Sequence, residues 1–216
     1  MVTLSRGIFV VVEGIDGSGK TTLAAALADY FTRMGVETVL TKEPGATHLG
    51  KKIRSLIETE DATLAPPAEY LLFAADRAQH IGEIVRPALA ANKLVISDRL
   101  TDSSIAYQGY GNGVDHSMIE TINTWTLQGV EIDFTFFLRI SPEDAIKRIL
   151  ARGLKATKFE TDIMGFLTRV THGFDEIYRQ NKKGTIHTLD AMQDRTEVFN
   201  QAQEIIGSWI THYQTS

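Results

Sequence analysis

The chain has 216 residues, of which 43% are hydrophobic, and its formal net charge is −5. This length suits one well-buried α/β domain spanning residues 1–216. The absence of cysteine excludes disulfides, zinc–cysteine sites and thiol nucleophiles, so any metal must bind oxygen ligands. The acidic balance argues against a nucleic-acid-binding surface.

The start of the chain and its apolar runs bear on location. Residues 1–7 contain no hydrophobic signal segment, and no apolar run approaches membrane-spanning length. We therefore expect a cytoplasmic protein with no membrane partner.

A glycine-rich motif directly follows the first predicted strand. The apolar run 8–12 precedes residues 14–21, which read GIDGSGKT, a complete G-x-x-x-x-G-K-T, and the helix-forming run 22–28 comes next. In such a loop the backbone N–H groups point at a phosphate, the lysine reaches the outer phosphates and the hydroxyl holds Mg²⁺. The predicted triphosphate-binding residues are Gly14, Ile15, Asp16, Gly17, Ser18, Gly19, Lys20, Thr21 and Thr22.

Four further β-rich runs, 38–41, 94–97, 134–138 and 185–189, alternate with helical stretches. This alternation predicts a five-stranded parallel sheet with helices on both faces, hence an α/β fold of three layers. Segment 152–162 falls between two helices and lacks apolar periodicity over 153–160. We interpret it as a mobile lid.

Prolines mark the start of two predicted helices. Pro66 opens a long helical pattern that runs up to Pro87, with apolar residues such as Leu71 at helical spacing, and Pro142 opens another helix after Ser141.

Polar residues follow the predicted strands at their carboxyl ends, where ligands collect in open α/β sheets. Asp98 and Arg99 directly follow the β-rich run 94–97. Asp98 suits Mg²⁺ and its water, and the Arg99 guanidinium suits bidentate phosphate binding. The alternative is that Arg99 only forms a salt bridge with Asp98 or Glu13.

A phosphate loop serves GTPases, motor ATPases and small-molecule kinases, and other features must separate them. The guanine-reading Asn/Thr-Lys-x-Asp motif of GTPases does not occur, because neither Asn92-Lys93 nor Asn181-Lys182 is followed by the required aspartate. Asp98 and Arg99 provide a carboxylate and a cation at the end of another strand, where a second anionic substrate could bind. This favours a small-molecule kinase.

Five motifs, in order and spacing, resemble those of the thymidylate kinase family. They read FVVVEGIDGSGKTT, TKEPGAT, LFAADRAQH, DR and SSIAYQG, at residues 9–22, 41–47, 72–80, 98–99 and 103–109. The resemblance spans about residues 8–181. It implies Mg²⁺-dependent transfer of the ATP γ-phosphoryl group to dTMP, giving dTDP and ADP, in a phosphate-loop kinase fold that is usually a homodimer.

The resemblance also implies roles for individual residues. Lys20 and Arg99 would act on the transferred group, with Thr21 and Asp98 on Mg²⁺. Because the variable loop positions hold no arginine, a further cation would come from the lid region, where Arg148 would contact ATP and Arg152, Lys155 and Lys158 are candidates for catalysis. The acceptor would contact Asp16, Glu43, Pro44, Arg54, Phe73, Arg77, Arg99, Ser104, Tyr107 and Gln108.

Several of these side chains have simpler interpretations. In the family, the residue matching Asp16 takes the 3′-hydroxyl of the acceptor sugar, but a solvated loop acid would look the same. Arg54 could be an exposed helix residue, Phe73 a core residue and Tyr107 a buried structural tyrosine rather than the residue that excludes a ribose 2′-hydroxyl.

Some positions depart from the family pattern. Leu100 replaces an aromatic or histidine, Lys42 an arginine, Arg139 an aspartate, and Thr157-Lys158 the lid's usual Asp-Arg pair. They leave two alternatives open: a broader pyrimidine nucleotide or deoxynucleotide kinase, and a catalytically weakened nucleotide-binding regulatory protein.

Overall fold

The computed structural model of the chain describes residues 2–58, 64–151, 160–179 and 185–213, with backbone only at 160–162 and 213. Three of the predicted lid cations, Arg152, Lys155 and Lys158, therefore lie outside the described residues. Within the described ranges, no helix is both long enough and apolar enough to cross a bilayer.

Five parallel strands form one sheet in the spatial order β2-β3-β1-β4-β5. The five-stranded parallel sheet predicted from the sequence is confirmed. The predicted β1, β2, β3 and β4 stop one residue short, because the last residue of each strand is polar yet still pairs in the ladder, and the predicted β5 lies one residue early. The strands are β1 Ile8–Glu13, β2 Thr38–Lys42, β3 Leu94–Asp98, β4 Phe134–Arg139 and β5 Ile186–Asp190.

Nine α-helices lie within the described residues, together with two π-helical segments, Ile81–Val85 and Ile105–Gly111. The helices are α1 Lys20–Arg33, α2 His48–Ile57, α3 Pro66–His80, α4 Arg86–Ala90, α5 Thr101–Ser104, α6 His116–Leu127, α7 Pro142–Leu150, α8 Glu160–Arg179 and α9 Arg195–Tyr213.

Both faces of the sheet are buried, as expected for parallel strands. In β1, Val10 packs into the cluster that includes α1, α8 and α9, whereas Val11 packs into a cluster with Ile81 and Val85 on the other face. Successive side chains of a strand point to opposite faces. The sheet is therefore the middle of three layers, with its carboxyl edge free to carry a site.

The helix that begins at Pro66 continues past Pro87 to Ala90, three residues beyond the predicted end. A proline has no N–H and its ring crowds the carbonyl four residues earlier. The π-helical segment Ile81–Val85 lies directly before Pro87 and relaxes the α-helical ladder there, which lets the helix pass the proline.

The apolar residues at helical spacing do not all lie on the buried face of this helix. Leu71 is 54% exposed, whereas Tyr70, Ala74 and Arg77 are buried. The buried face includes a charged residue because it packs on α6 and on the segments that follow β2 and β3, where Arg77 finds polar partners.

Candidate active site

The phosphate loop joins β1 to α1 and takes a backbone path that only glycine follows readily. Gly14, Gly17 and Gly19 have φ of 144°, 84° and 103°. A Cβ on Gly17 would lie 2.6 Å from the carbonyl oxygen of Ala145. Side chains at Gly14 and Gly17 would therefore clash with their surroundings, whereas Gly19 is required only by its backbone conformation.

Lys20 lies at the mouth of the loop and is only 6% exposed. Its Nζ donates to the Ile15 carbonyl at 2.8 Å and lies 3.9 Å from an Asp16 carboxylate oxygen. Burial, followed by the positive charge of Arg99, lowers the pKa of Lys20 to about 8. An anion bound at the loop would raise the pKa of Lys20 again, because it would offset the positive charges of Lys20 and Arg99. Lys20 is therefore placed to bind a phosphate.

Thr21 and Asp98 bring a hydroxyl and a carboxylate together at the end of the loop. Thr21 Oγ1 donates to Asp98 Oδ2 at 2.5 Å, and the buried Asp98 Oδ1 has no hydrogen-bond partner among the described residues. Hydroxyl and carboxylate oxygens suit Mg²⁺, which keeps several waters and takes further ligands from phosphates. The donor set therefore fits the metal predicted from the sequence.

Arg99 follows β3 and adopts φ of 75°, a left-handed conformation that is uncommon for a residue with a side chain. Its Nη2 donates to Asp16 Oδ1 at 2.5 Å and its Nη1 to Ser103 Oγ at 2.9 Å. The guanidinium also lies 4.9 Å from the centre of the Tyr107 ring. Its ion pair is thus with Asp16 and not with Asp98 or Glu13, the partners considered in the sequence-based alternative.

Asp16 is held by this arginine and by the Tyr107 hydroxyl. Burial opposes ionisation, but Arg99 and then Lys20 outweigh it and lower the pKa of Asp16. Tyr107 Oη donates to Asp16 Oδ2 at 3.2 Å and accepts from the Asp16 amide at 3.0 Å. Burial raises the pKa of Tyr107 to about 12, so the phenol keeps its proton. Asp16 is therefore held in place by Arg99 and Tyr107, although its side chain is 60% exposed.

Arg77 is fixed by four hydrogen bonds and is only 2% exposed. Its Nε donates to Glu43 at 2.9 Å, its Nη1 to Asn123 at 2.6 Å, and its Nη2 to the Leu100 carbonyl at 3.0 Å and to Ser104 Oγ at 2.9 Å. A guanidinium has five N–H donors. One donor remains for a ligand.

Glu43 helps to hold Arg77 in place. Its second oxygen accepts from His80 Nδ1 at 2.8 Å, and the other His80 nitrogen lies 2.7 Å from Thr41 Oγ1. Glu43 is 6% exposed, so both of its carboxylate oxygens are engaged with the protein. Its predicted contact with an acceptor stays a prediction, and its observed contacts are those of a support for Arg77.

A cleft of about 390 Å³ lies on this side of the loop, and we call it the Arg99 cleft. Phe73 is half-buried and lines it, so it is not the core residue that the helix pattern allowed. Gln108 also lines it while donating to Glu69 at 2.9 Å. The cleft brings together these predicted residues: Asp16, Lys20, Thr21, Glu43, Pro44, Arg54, Phe73, Arg77, Asp98, Arg99, Ser104, Tyr107 and Gln108.

Arg54 stands at the rim of the Arg99 cleft. Its Nη1 donates to the Pro44 carbonyl at 3.3 Å, and its Nη2 pairs with Glu58 at 2.7 Å. The side chain is 41% exposed, so its ion pair is open to solvent and weak. Arg54 can therefore turn towards a ligand at small cost.

A second cleft, of about 340 Å³, lies on the other side of the loop, and we call it the Arg148 cleft. Arg148 Nη2 donates to the Ala191 carbonyl at 2.7 Å, and its Nη1 approaches the Gly17 and Ser18 carbonyls at 3.5 Å. Besides Arg148, the lining residues are Ser18, Gly19, Thr22, Leu23, Ala26, Leu138, Ala151, Ala191, Gln193, Arg195, Val198 and Phe199.

Sequence reasoning missed part of each cleft. Gln193 and Arg195 follow β5, and the rule that ligands collect after strand ends would have indicated them. Ser103 is the first residue of the SSIAYQG motif, but the sequence indicated no role for it. Asn123 lies on α6, outside every motif, and no sequence signal connects it to Arg77.

Two of the departures from the family pattern have clear positions. Arg139 forms two 3.0 Å hydrogen bonds to Asp175 and is mostly exposed. Leu100 is buried in the cluster that contains Phe9 and Val11.

Comparison with known proteins agrees with the motifs. The family model described as Thymidylate kinase matches residues 12–202. The chain belongs to the thymidylate kinase family. It is 38% identical over 200 residues to the thymidylate kinase of Halothermothrix orenii, covering 91% of this chain and 94% of that protein. It is 40% identical over 208 residues to the thymidylate kinase of Prochlorococcus marinus strain MIT 9312, covering 93% and 96%.

A solved structure shares the fold. The crystal structure of thymidylate kinase from Ehrlichia chaffeensis aligns with a TM-score of 0.76 at 35% sequence identity, covering 93% of this chain and 99% of that one. The family and the α/β fold predicted from the sequence are thus confirmed.

Proposed function

We propose that this protein transfers the γ-phosphoryl group of ATP to dTMP, giving dTDP and ADP. The observation that carries the proposal is the pair of clefts that meet at one phosphate loop. The Arg148 cleft would take ATP, and the Arg99 cleft, with its arginines and an aromatic ring, would take a nucleoside monophosphate.

The reaction needs positioning and charge rather than a general base. An acceptor phosphate has its second pKa near 6, so it is already a nucleophile at neutral pH. Two polyanions must meet in line, and the charge on the transferred group must be held. Lys20 and Arg99 both line the Arg99 cleft beside Asp16, and they would supply that charge.

Thr21 and Asp98 would hold Mg²⁺, which when bound neutralises negative charge on the phosphates of ATP. The unpartnered Asp98 oxygen supports this assignment, because a buried carboxylate oxygen is stabilised by a cation or by water. The Lys20 ammonium group and the loop amides would bind the phosphates directly, without the metal.

The selectivity for a thymine deoxynucleotide would come from two groups of side chains. Phe73 offers a half-buried ring for the base. The four hydrogen bonds of Arg77 fix the direction of its one remaining N–H donor, which would bind the base. Tyr107 and Asp16 would lie at the sugar, where the tyrosine ring leaves no room for a 2′-hydroxyl and the carboxylate accepts from the 3′-hydroxyl.

An assay of ADP formation tests the proposal. Purified protein with ATP and Mg²⁺ is offered dTMP, dUMP, dCMP, dGMP, UMP or thymidine. We expect the highest kcat/KM with dTMP and no turnover with thymidine, which lacks the phosphate nucleophile. No turnover with dTMP would refute the proposal, and equal kcat/KM values for dTMP, dCMP and UMP would indicate the broader pyrimidine kinase instead.

We also infer that the protein forms a homodimer. Trp125 on α6 is 75% exposed, and Met118 on α6 and Leu71 on α3 are more than half exposed. Burial of such side chains favours association, because apolar surface is removed from water. Sedimentation equilibrium should give twice the mass of one chain, and a single-chain mass at micromolar concentration would contradict the inference.

A further inference from the structure

Glu13, the last residue of β1, is completely buried and has no role in the proposed chemistry. Its Oε1 accepts from the backbone amides of Leu100 at 2.8 Å and Ser103 at 3.2 Å. Its Oε2 accepts from Ser103 Oγ at 2.5 Å. One carboxylate at the end of the central strand therefore holds the segment that follows Arg99.

This contact replaces a missing helix cap. Leu100 occupies the N-cap position of α5, and its side chain cannot accept a hydrogen bond. The Ser103 amide is the third of the helix, which a capping side chain normally takes. Glu13 takes it instead, from a residue 90 positions away in the chain. The helical segment it caps carries Ser104, Tyr107 and Gln108, which line the Arg99 cleft.

The same carboxylate reaches Arg99 through Ser103. The Ser103 hydroxyl donates to Glu13 and accepts from Arg99 Nη1 at 2.9 Å. The Arg99 backbone is left-handed, a conformation that persists only when its surroundings enforce it. Glu13 binds the amide directly after this residue, so it fixes both the backbone turn and the direction of the guanidinium.

We propose that Glu13 is a positioning residue for the acceptor phosphate, which sets the Arg99 guanidinium through Ser103 and the Leu100 amide. The proposal rests on the proposed function, since it assigns the acceptor phosphate to Arg99. It separates the two substrates: loss of Glu13 impairs the use of dTMP and leaves the binding of ATP intact.

The first test compares Glu13→Gln with Asp133→Asn. Asp133 is a matched control because its carboxylate accepts from the Phe9 amide at 2.8 Å and from Arg6 at 2.5 Å, at the opposite end of the same strand. Both variants lose one buried or half-buried carboxyl group that ties β1 to a neighbour. Comparing them separates the loss of stability from the loss of positioning.

For Glu13→Gln we expect the KM for dTMP to rise about tenfold, the size of one lost hydrogen bond, while the KM for ATP changes less than about twofold. For Asp133→Asn we expect a lower Tm and unchanged KM values for both substrates. An equal rise in both KM values for Glu13→Gln, or an equal rise in the KM for dTMP for Asp133→Asn, would overturn the proposal.

Ser103 provides the second test, which also serves if Glu13→Gln does not fold. Ser103→Ala removes the hydroxyl that joins Glu13 to Arg99 but leaves both amide contacts. Its KM for dTMP should rise a few-fold, and Ser103→Thr, which keeps a hydroxyl, should restore it. An unchanged KM in Ser103→Ala would overturn the link to Arg99. A wild-type enzyme without dTMP turnover would instead refute the proposed function.

Discussion

The two clefts are built in different ways. The Arg99 cleft is lined by polar side chains that are already bonded to one another, such as Arg99 with Asp16 and Arg77 with Glu43. The Arg148 cleft is lined mainly by apolar residues together with Ser18 and Gly19 of the phosphate loop, and Arg148 is held on a backbone carbonyl. Recognition of a triphosphate can thus rely on peptide N–H groups, whereas recognition of one particular monophosphate requires oriented side chains.

This difference predicts how each cleft responds to substitution. In the Arg99 cleft, single side chains carry the contacts, so their loss should affect one substrate selectively. In the loop that both clefts share, a substitution should affect the whole reaction.

The largest effect is expected for Lys20→Met in the shared loop. Methionine keeps the length and the apolar stem but removes the charge that holds the transferred group. We expect kcat to fall about a thousandfold, as for the loss of a transition-state contact in a dry site. ADP formation measures it, with circular dichroism as the control for folding. A kcat within tenfold of wild type would show that the loop amides suffice.

Arg99→Ala should separate the clefts. We expect kcat/KM for dTMP to fall about a hundredfold, because a charge-assisted phosphate contact is lost, while the Kd for ATP changes less than about twofold. Steady-state kinetics measure kcat/KM for dTMP, and isothermal titration measures the Kd for each nucleotide. Arg139→Ala, at an exposed ion pair with Asp175, is the control and should change neither. Equal weakening of ATP and dTMP binding by Arg99→Ala would refute separate sites.

Tyr107→Ala should relax the choice of sugar. Removing the ring makes room for a 2′-hydroxyl, so we expect the ratio of kcat/KM for UMP over dUMP to rise about tenfold. Tyr107→Phe keeps the ring beside Arg99 and removes only the hydroxyl that binds Asp16, so its ratio should stay near that of wild type. An unchanged ratio in Tyr107→Ala would exclude the tyrosine as a sugar gate.

The smallest effect concerns the stability of the network behind the Arg99 cleft. Burial, and then the nearby Glu43 carboxylate, raise the pKa of Asp76 to about 6. The native state therefore holds this proton more tightly than the unfolded state, and the stability it contributes at low pH is lost as the pH rises through about 6. Asp76→Asn removes the charge but can still accept from the Gly45 amide, now 3.1 Å away.

We expect Asp76→Asn to be more stable than wild type by about 1–2 kcal/mol at pH 8, with a smaller difference at pH 5. Urea unfolding at the two pH values measures the free energy of unfolding. A larger gain at pH 5 than at pH 8 would contradict the direction of the Asp76 pKa shift.

The sequence predicted the fold from local patterns, whereas most of the residues that line the Arg99 cleft were expected only from the resemblance to the thymidylate kinase family. The alternation of strands and helices predicted the parallel sheet, and the positions after strand ends indicated Asp98 and Arg99 as site residues. The contacts of Glu13 and Asn123 could not be predicted, since they join residues distant in the chain whose side chains meet only after the layers pack. The helix across Pro87 was missed because a π-helical turn leaves no clear periodic signal.

A crystal structure with dTMP and a non-hydrolysable ATP analogue would test the central claim most directly. The account predicts the dTMP phosphate on Arg99 with its base beside Phe73, and the adenine of the analogue in the cleft lined by Arg148 and Gln193. A dTMP molecule bound in the Arg148 cleft, or an analogue whose adenine lies beside Phe73, would contradict it.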